Sequence, residues 1–311
     1  MDKWQRMASI VKQNDPDGQV NFQIKLQKEF KKLYISRFIM ENLLVFLLQY
    51  VGLLFSTLTP HPTLLWLATG TATAFVFLRG YTILPGIFCG TFLAYYIANS
   101  GMMLALMCAL VLSLQASLIL WVSLRYISPT LIIYRLLPLC TFFIFCIALT
   151  GIVSVVLALL SYPSLSYSIS FFTVWSSWWL SNLNGILTLA IGIITWDMYF
   201  PQISVFKQIN KYRLSAYYGA LLISIIALIF SDTLAHIIIV SIITVSLMSM
   251  ISWRYGWSGS VCGILLMTLM LSLFTAKEMS IFLQSLLSLS AIIGLLVAVI
   301  QNRLTDSRFA R

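Results

Sequence analysis

Charge is what this sequence has least of. Only 9 % of its 311 residues are Asp, Glu, Lys or Arg, against roughly 25 % in soluble globular proteins. A water-soluble domain covers its surface with such residues, and no long polar segment exists here to build one. Acids are scarcest of all: nine in the whole chain. None falls in the middle of an apolar run, where a proton-coupled transporter ordinarily keeps one. Histidine occurs twice, at His61 and His236. The five cysteines (Cys89, Cys108, Cys140, Cys146, Cys262) lie inside apolar stretches without a CxxC pair, which reads as small core residues, not disulfides or metal ligands. No GxSxG, HExxH, phosphate-binding glycine loop or paired carboxylate appears, so enzyme chemistry has no visible carrier and no cofactor is expected.

What is present is apolar. Hydrophobic residues make up 60 % of the chain and the mean hydropathy is +0.95. Runs long enough to cross a bilayer, about 20 residues at ~1.5 Å each, fall at about 38–57, 63–79, 82–99, 102–124, 136–160, 171–196, 214–231, 234–252, 258–275 and 279–300. Turn and breaker residues separate them: Pro60-His61-Pro62, Arg79-Gly80, Asn99-Ser100-Gly101, Pro129, Pro163, Pro201, Ser231-Asp232, Gly256-Trp257-Ser258-Gly259 and Lys277-Glu278. The expected fold is all-α, a polytopic transmembrane bundle of about ten spans. The divisions at 79–82 and 231–234 are the shortest; one kinked or re-entrant helix at each would leave eight.

The net charge of +10 would suggest nucleic acid in a soluble protein. Here the membrane accounts for it, and no nucleic-acid partner is expected. Assigning the loops alternately to the two sides puts 18 of the 19 Lys and Arg on the side of the N-terminus, leaving only Lys277 opposite. Cytoplasmic loops carry the excess of Lys and Arg, so both ends are expected inside. The first 37 residues are polar and basic and do not resemble a cleavable signal. Within 19–38, Phe22, Leu26, Phe30, Leu33 and Phe38 recur near helical spacing among Lys25, Lys28, Lys31 and Lys32. This is either a basic amphipathic helix on the anionic leaflet or a simple topogenic charge cluster. Residues 1–37 thus read as a cytoplasmic tail, 38–305 as the integral domain and 306–311 as a short cytoplasmic end.

Polar and aromatic groups inside the bundle are the candidate sites. Trp175, Trp178 and Trp179, spaced i, i+3, i+4, are expected on one face near the outer end of the sixth span. They form either an interfacial belt, favoured by position, or an aromatic wall for a ligand. Asn182 and Asn184 follow one to two turns deeper and call for interhelical partners, as do Gln49, Gln115 and Gln284. Gly185 after them permits close helix approach. Glu41 is expected to pair with Arg37, its i−4 neighbour. Asp232 and His236, with His61, make only a weak metal constellation beside the simpler reading of a capping Asp and a lone His.

Four segments, in order, resemble the first-type membrane-associated sensor domain, the MASE-one family. Leu65-Trp66-Leu67-Ala68-Thr69-Gly70-Thr71-Ala72 is similar to its Trp-Pro-x-x-Gly-x-Ala element. Leu84-Pro85-Gly86-Ile87-Phe88-Cys89-Gly90-Thr91-Phe92-Leu93 resembles Trp-Pro-Gly-x-x-x-Gly-x-x-Leu. Trp178-Trp179-Leu180-Ser181-Asn182-Leu183-Asn184-Gly185 resembles Trp-Trp-Leu-Gly-Asp-x-x-Gly, and Trp253-Arg254-Tyr255-Gly256-Trp257-Ser258-Gly259 an aromatic–Gly turn. The final helix, with Leu283-Gln284-Ser285-Leu286 and the exit Gln301-Asn302-Arg303, is similar too. Leu67 stands where the family has Pro and Asn182 where it has Asp, which puts the family's ligand in doubt for this chain.

The resemblance implies a bacterial cytoplasmic-membrane sensor, in a family whose kinase or cyclic-di-GMP output domains follow the last helix. About eleven residues follow it here, so signal output is expected through a partner protein. The expected role is a non-enzymatic sensory module of the inner membrane that contacts the lipid bilayer and an unknown small ligand in the outer half of the bundle. The expected ligand-binding residues are Trp66, Gly70, Trp178, Trp179 and Asn182. The alternative is a small-molecule transporter or permease, against which stand the missing mid-membrane acids and the lack of a clear internal repeat.

Overall fold

A computed structural model describes residues 34–53, 66–98, 101–127, 135–161, 170–199, 211–231, 233–274 and 280–309. Every element among them is helical: α1 (Tyr34–Leu53), α2 (Leu67–Arg79), α3 (Leu84–Ile97), α4 (Met102–Val122), α5 (Leu136–Ser161), α6 (Phe171–Gly185), α7 (Ile191–Tyr199), α8 (Lys211–Ile229), α9 (Leu234–Phe274) and α10 (Ser280–Phe309). A π turn over Ile186–Ala190 joins α6 to α7 in one rod. Most of the amphipathic tail, the Pro60–Pro62 joint with His61, Asp232, and the joints at Pro129, Pro163, Pro201 and Lys277 lie outside the described residues.

Seven helical stretches among the described residues are long and apolar enough to cross a membrane, and Arg213–Ile229 is a shorter apolar helix. Two of the seven fold back on themselves, which recovers the ten segments read from the sequence. In Leu67–Ile97, Gln49 of α1 bonds both Thr71 and Thr91. Twenty residues of straight helix would separate those threonines by about 30 Å. The reversal sits at Gly80, whose φ of 72° is open to glycine at little steric cost. In α9, Ser260 and Ser252 are hydrogen-bonded at 2.7 Å although eight residues apart, and the turn is at Gly256, φ 61°. The two arms of α9 are therefore antiparallel. The short joint before α9 is a true reversal as well, because Thr244 reaches Ser224 at 3.2 Å across it.

These reversals gather Arg37, Arg79, Arg125, Arg135, Arg213 and Arg254 at one end of the bundle, with α1 entering and α10 leaving there. At that end Glu41 accepts from Arg37 at 2.8 Å, as expected, and also from Arg79 at 3.0 Å. Holding a carboxylate between two guanidiniums pins the first helix to the α2–α3 turn.

Inside, α1 is fixed by one amide. Gln49 is fully buried and donates to the Ala68 carbonyl at 2.7 Å and to Thr71 at 2.8 Å, while accepting from Thr91. Gly86 and Gly90 let α3 lie on the α1 backbone, since a Cβ at either would fall 2.4 or 2.6 Å from a carbonyl of Asn42 or Phe46. Replacing Gln49 by Leu keeps the volume and removes every one of those bonds. The expected cost is about 1–2 kcal/mol, read as a lower thermal midpoint of the detergent-purified protein. An unchanged midpoint would mean that α1 is held by packing alone.

The main core runs through α4, α5, α6, both arms of α9 and α10, with Phe142, Ile119, Leu187, Met248 and Leu287 at its centre. A second cluster of Val45, Val76, Ile83 and Ile87 seats α1 to α3 on α4. Outward-facing Leu, Ile and Phe are numerous, among them Leu137, Ile144, Phe172, Ile223 and Phe230. That is the surface expected of helices that face lipid rather than water.

Candidate functional site

Glycine brings the site together. Gly70 of α2 packs directly on Gly185 of α6: a Cβ at Gly70 would lie 2.3 Å from the Gly185 carbonyl oxygen, and a Cβ at Gly185 2.4 Å from that of Trp66. The two helices run side by side in the same direction at backbone contact, the approach expected of Gly185. One turn toward the N-terminal ends of the two helices, the Trp66 backbone N–H donates to the Ser181 carbonyl at 3.0 Å. The Trp66 and Trp178 rings meet with centroids 4.6 Å apart at 55°. Trp66 is buried and Trp178 half-buried, and Leu53, Ala68, Ala94, Tyr50 and Tyr95 surround the pair.

The three tryptophans of α6 do not share one face. Trp175 and Trp179 stack on each other at 5.1 Å, and their indole N–H groups donate to carbonyls of α5, Gly151 and Ile147, each at 3.0 Å. Trp178 turns the other way, to α2. Spacing i, i+3, i+4 spreads side chains over a broad arc, and here two neighbouring helices divide that arc. Trp175 and Trp179 are thus clamped to a neighbouring helix, and the aromatic wall on α2 consists of Trp66 and Trp178.

Below the rings lies a buried polar chain. Asn182 accepts from the Thr69 hydroxyl at 2.5 Å and donates to Ser154 at 3.2 Å, tying α2, α5 and α6. Gln284 of α10 donates to Ser181 at 2.9 Å. The Asn184 amide donates to the Gln284 carbonyl at 3.1 Å and accepts from Ser288 at 2.7 Å. Both asparagines therefore find the interhelical partners their burial calls for, and Gln284 does too. Gln115 does not: it is 1 % exposed, and neither amide atom has a hydrogen-bond partner. Of the residues expected to bind ligand, Trp66 and Trp178 touch each other, Asn182 and Gly70 lie beneath them at the α2–α6 contact, and Trp179 faces α5.

The family sequence profile for MASE1 matches residues 42–304. The chain belongs to the MASE1 family. MASE1 is a family of membrane-associated sensor domains, not a catalytic family, so the bundle is a membrane sensory module, and two of its four motif segments, 65–72 and 178–185, form the α2–α6 contact just described. Comparison with curated proteins and with solved structures gives no match.

The structure also gathers what spacing did not reveal. Arg79 at Glu41, Ser154 under Asn182 and Ser288 under Asn184 come from helices distant in sequence, and no local pattern marks them. His236 is exposed in the first turn of α9, where its backbone N–H bonds the Thr233 hydroxyl at 3.3 Å; Asp232 and His61 lie outside the described residues. Among the described residues no group of three metal-ligating side chains occurs. The cysteines are free thiols, Cys108 and Cys146 buried and Cys89 and Cys262 exposed on the bundle surface.

Proposed function

We propose that this MASE1 chain is a bacterial inner-membrane sensor that binds a small ligand at the Trp66–Trp178 wall and signals to a partner protein through α10. One observation carries the proposal: the wall is wired to α10. The Trp66 backbone hangs on Ser181, Ser181 is bonded by Gln284, and Asn184 holds both Gln284 and Ser288. A ligand that moves α2 against α6 must either break these bonds or carry α10 with it. Breaking them inside a bilayer costs about 1 kcal/mol each, so a small shift of α10 is the cheaper response.

In this reading Trp66 and Trp178 contact the ligand. Gly70 lets the wall form, Asn182 fixes the floor, and Trp179 braces α6 on α5. The shift leaves the bundle at the end where α10 exits and the arginines cluster, the side assigned to the cytoplasm by charge.

The test is crosslinking and affinity purification of the tagged full-length protein from its native membrane. The expected result is one specific co-purifying kinase, cyclase or other output protein, lost or altered in Trp178→Ala while membrane insertion is unchanged. Repeated recovery of the protein alone in mild detergent would contradict output through a partner and direct attention to substrate flux in vesicles.

A further inference from the structure

The wall has unspent hydrogen-bonding capacity, and that capacity defines a ligand class. The Trp66 indole N–H is buried, in a residue 8 % exposed, and has no hydrogen-bond partner. An indole N–H can only donate. The Ser177 hydroxyl is likewise buried, 3 % exposed, and without a partner. Serines in apolar helices usually return their hydroxyl to the carbonyl three or four residues back. Ser117, Ser161 and Ser285 do so in this bundle, and the adjacent Ser176 bonds the Thr173 carbonyl. Ser177 does not.

Both donors belong to residues beside the α2–α6 contact. Ser177 precedes Trp178, whose ring lies on Trp66, and it stands one turn above Ser181, where the Trp66 backbone is bonded. Among the described residues, the stretches around this contact carry no formal charge: 42–53 of α1, 66–78, 84–97 of α3, 136–161 of α5, 171–185 of α6 and 280–300 of α10. An unpaired buried donor costs about 1–3 kcal/mol, a cost that a bound acceptor would remove. A charged ligand would meet no counter-charge among the described residues there and would have to be desolvated.

We infer that the Trp66–Trp178 site takes a neutral, flat molecule that offers carbonyl-type acceptor oxygens to Trp66 Nε1 and Ser177 Oγ. The inference rests on the ligand-site reading given above and narrows it to a chemical class. The flat face packs on the indole rings, and the acceptor oxygens fill the vacant donors.

The test uses the full-length protein in nanodiscs and three probes of one shape: duroquinone (neutral, two acceptor oxygens), durene (the same methylated ring without oxygen) and 2,4,6-trimethylbenzoate (an anion). Binding is measured by equilibrium dialysis against empty nanodiscs. Location is read by ¹⁹F NMR of 5-fluorotryptophan-labelled protein, with the Trp66 resonance assigned by its loss in Trp66→Phe. That variant removes the N–H and keeps an aromatic ring; Ser177→Ala is the second variant, and thermal midpoints establish that both are folded.

The expected result is saturable binding of duroquinone with a shift of the Trp66 resonance, and no comparable binding of durene or the anion. Affinity should fall about tenfold in Trp66→Phe, the loss of one good hydrogen bond, and by a smaller factor in Ser177→Ala. The inference is overturned if duroquinone does not bind, if durene binds as tightly, or if neither variant changes the affinity for duroquinone. Trp178→Leu separates the two levels. Weakened binding of every probe in that variant, with no preference for the acceptor, would overturn the ligand class and leave the aromatic site standing; probe binding unaffected by Trp178→Leu would overturn both.

Discussion

Gly185→Ala is expected to force α2 and α6 apart. The new Cβ would sit 2.4 Å from the Trp66 carbonyl oxygen and 3.2 Å from the Gly70 nitrogen. Both are backbone atoms in packed helices, so no side chain can swing aside to admit it. Overpacking costs about 1–3 kcal/mol where neighbours yield, and here the expected loss is at or above the upper value. Because α2 and α6 must separate, the effect reaches the site: Trp66 leaves Trp178, and Thr69 leaves Asn182. Gly151→Ala provides the contrast. Its Cβ would meet the Trp179 indole at 3.4 Å, an ordinary contact, and should leave the thermal midpoint nearly unchanged. Fluorescence-detected size exclusion with a thermal ramp compares the two. Equal behaviour of both variants would mean that α2 and α6 are not in backbone contact.

The second large effect is a pair of substitutions with opposite signs. Asn182→Leu and Gln115→Leu each replace a fully buried amide by a hydrocarbon of similar size. Asn182 joins three helices through Thr69 and Ser154, so its loss strands two hydroxyls and is expected to cost about 1–3 kcal/mol. Gln115 bonds nothing, so Gln115→Leu removes two unsatisfied buried groups and should stabilise by roughly 1 kcal/mol. Chemical or thermal unfolding in one detergent measures both. Destabilisation by Gln115→Leu equal to that of Asn182→Leu would show that Gln115 has a partner in the folded protein.

Much of the architecture was legible because the bilayer imposes it. Length and apolarity mark the helices, and Gly80 and Gly256 mark reversals that helix content alone merges into long rods. Arginine positions sort the ends, and the Arg37–Glu41 pair follows from i, i+4 spacing. The site was legible only as a composition of residues: Trp66, Gly70, Trp178 and Asn182 do converge. Which neighbour each side chain faces was not legible. In a soluble helix the polar face tells which side is buried. α6 is apolar or aromatic around most of its circumference, so nothing in its spacing sends Trp178 to α2 and Trp179 to α5. The unpaired Gln115 was hidden for the same reason, since a buried amide implies a partner only when a neighbouring helix brings one within reach.

A signal can reach α10 from the Trp66–Trp178 wall only if the two are mechanically joined. Hydrogen–deuterium exchange of the full-length protein in nanodiscs, wild type against Trp178→Leu, measures this without knowing the ligand. Loosening the wall should speed exchange in α10 around Gln284 and Ser288 as well as in α2 and α6, and leave the α8–α9 contact at Ser224 and Thr244 unchanged. A change confined to α2 and α6, with α10 as protected as in the wild type, would contradict transmission along the Ser181–Gln284–Asn184–Ser288 chain.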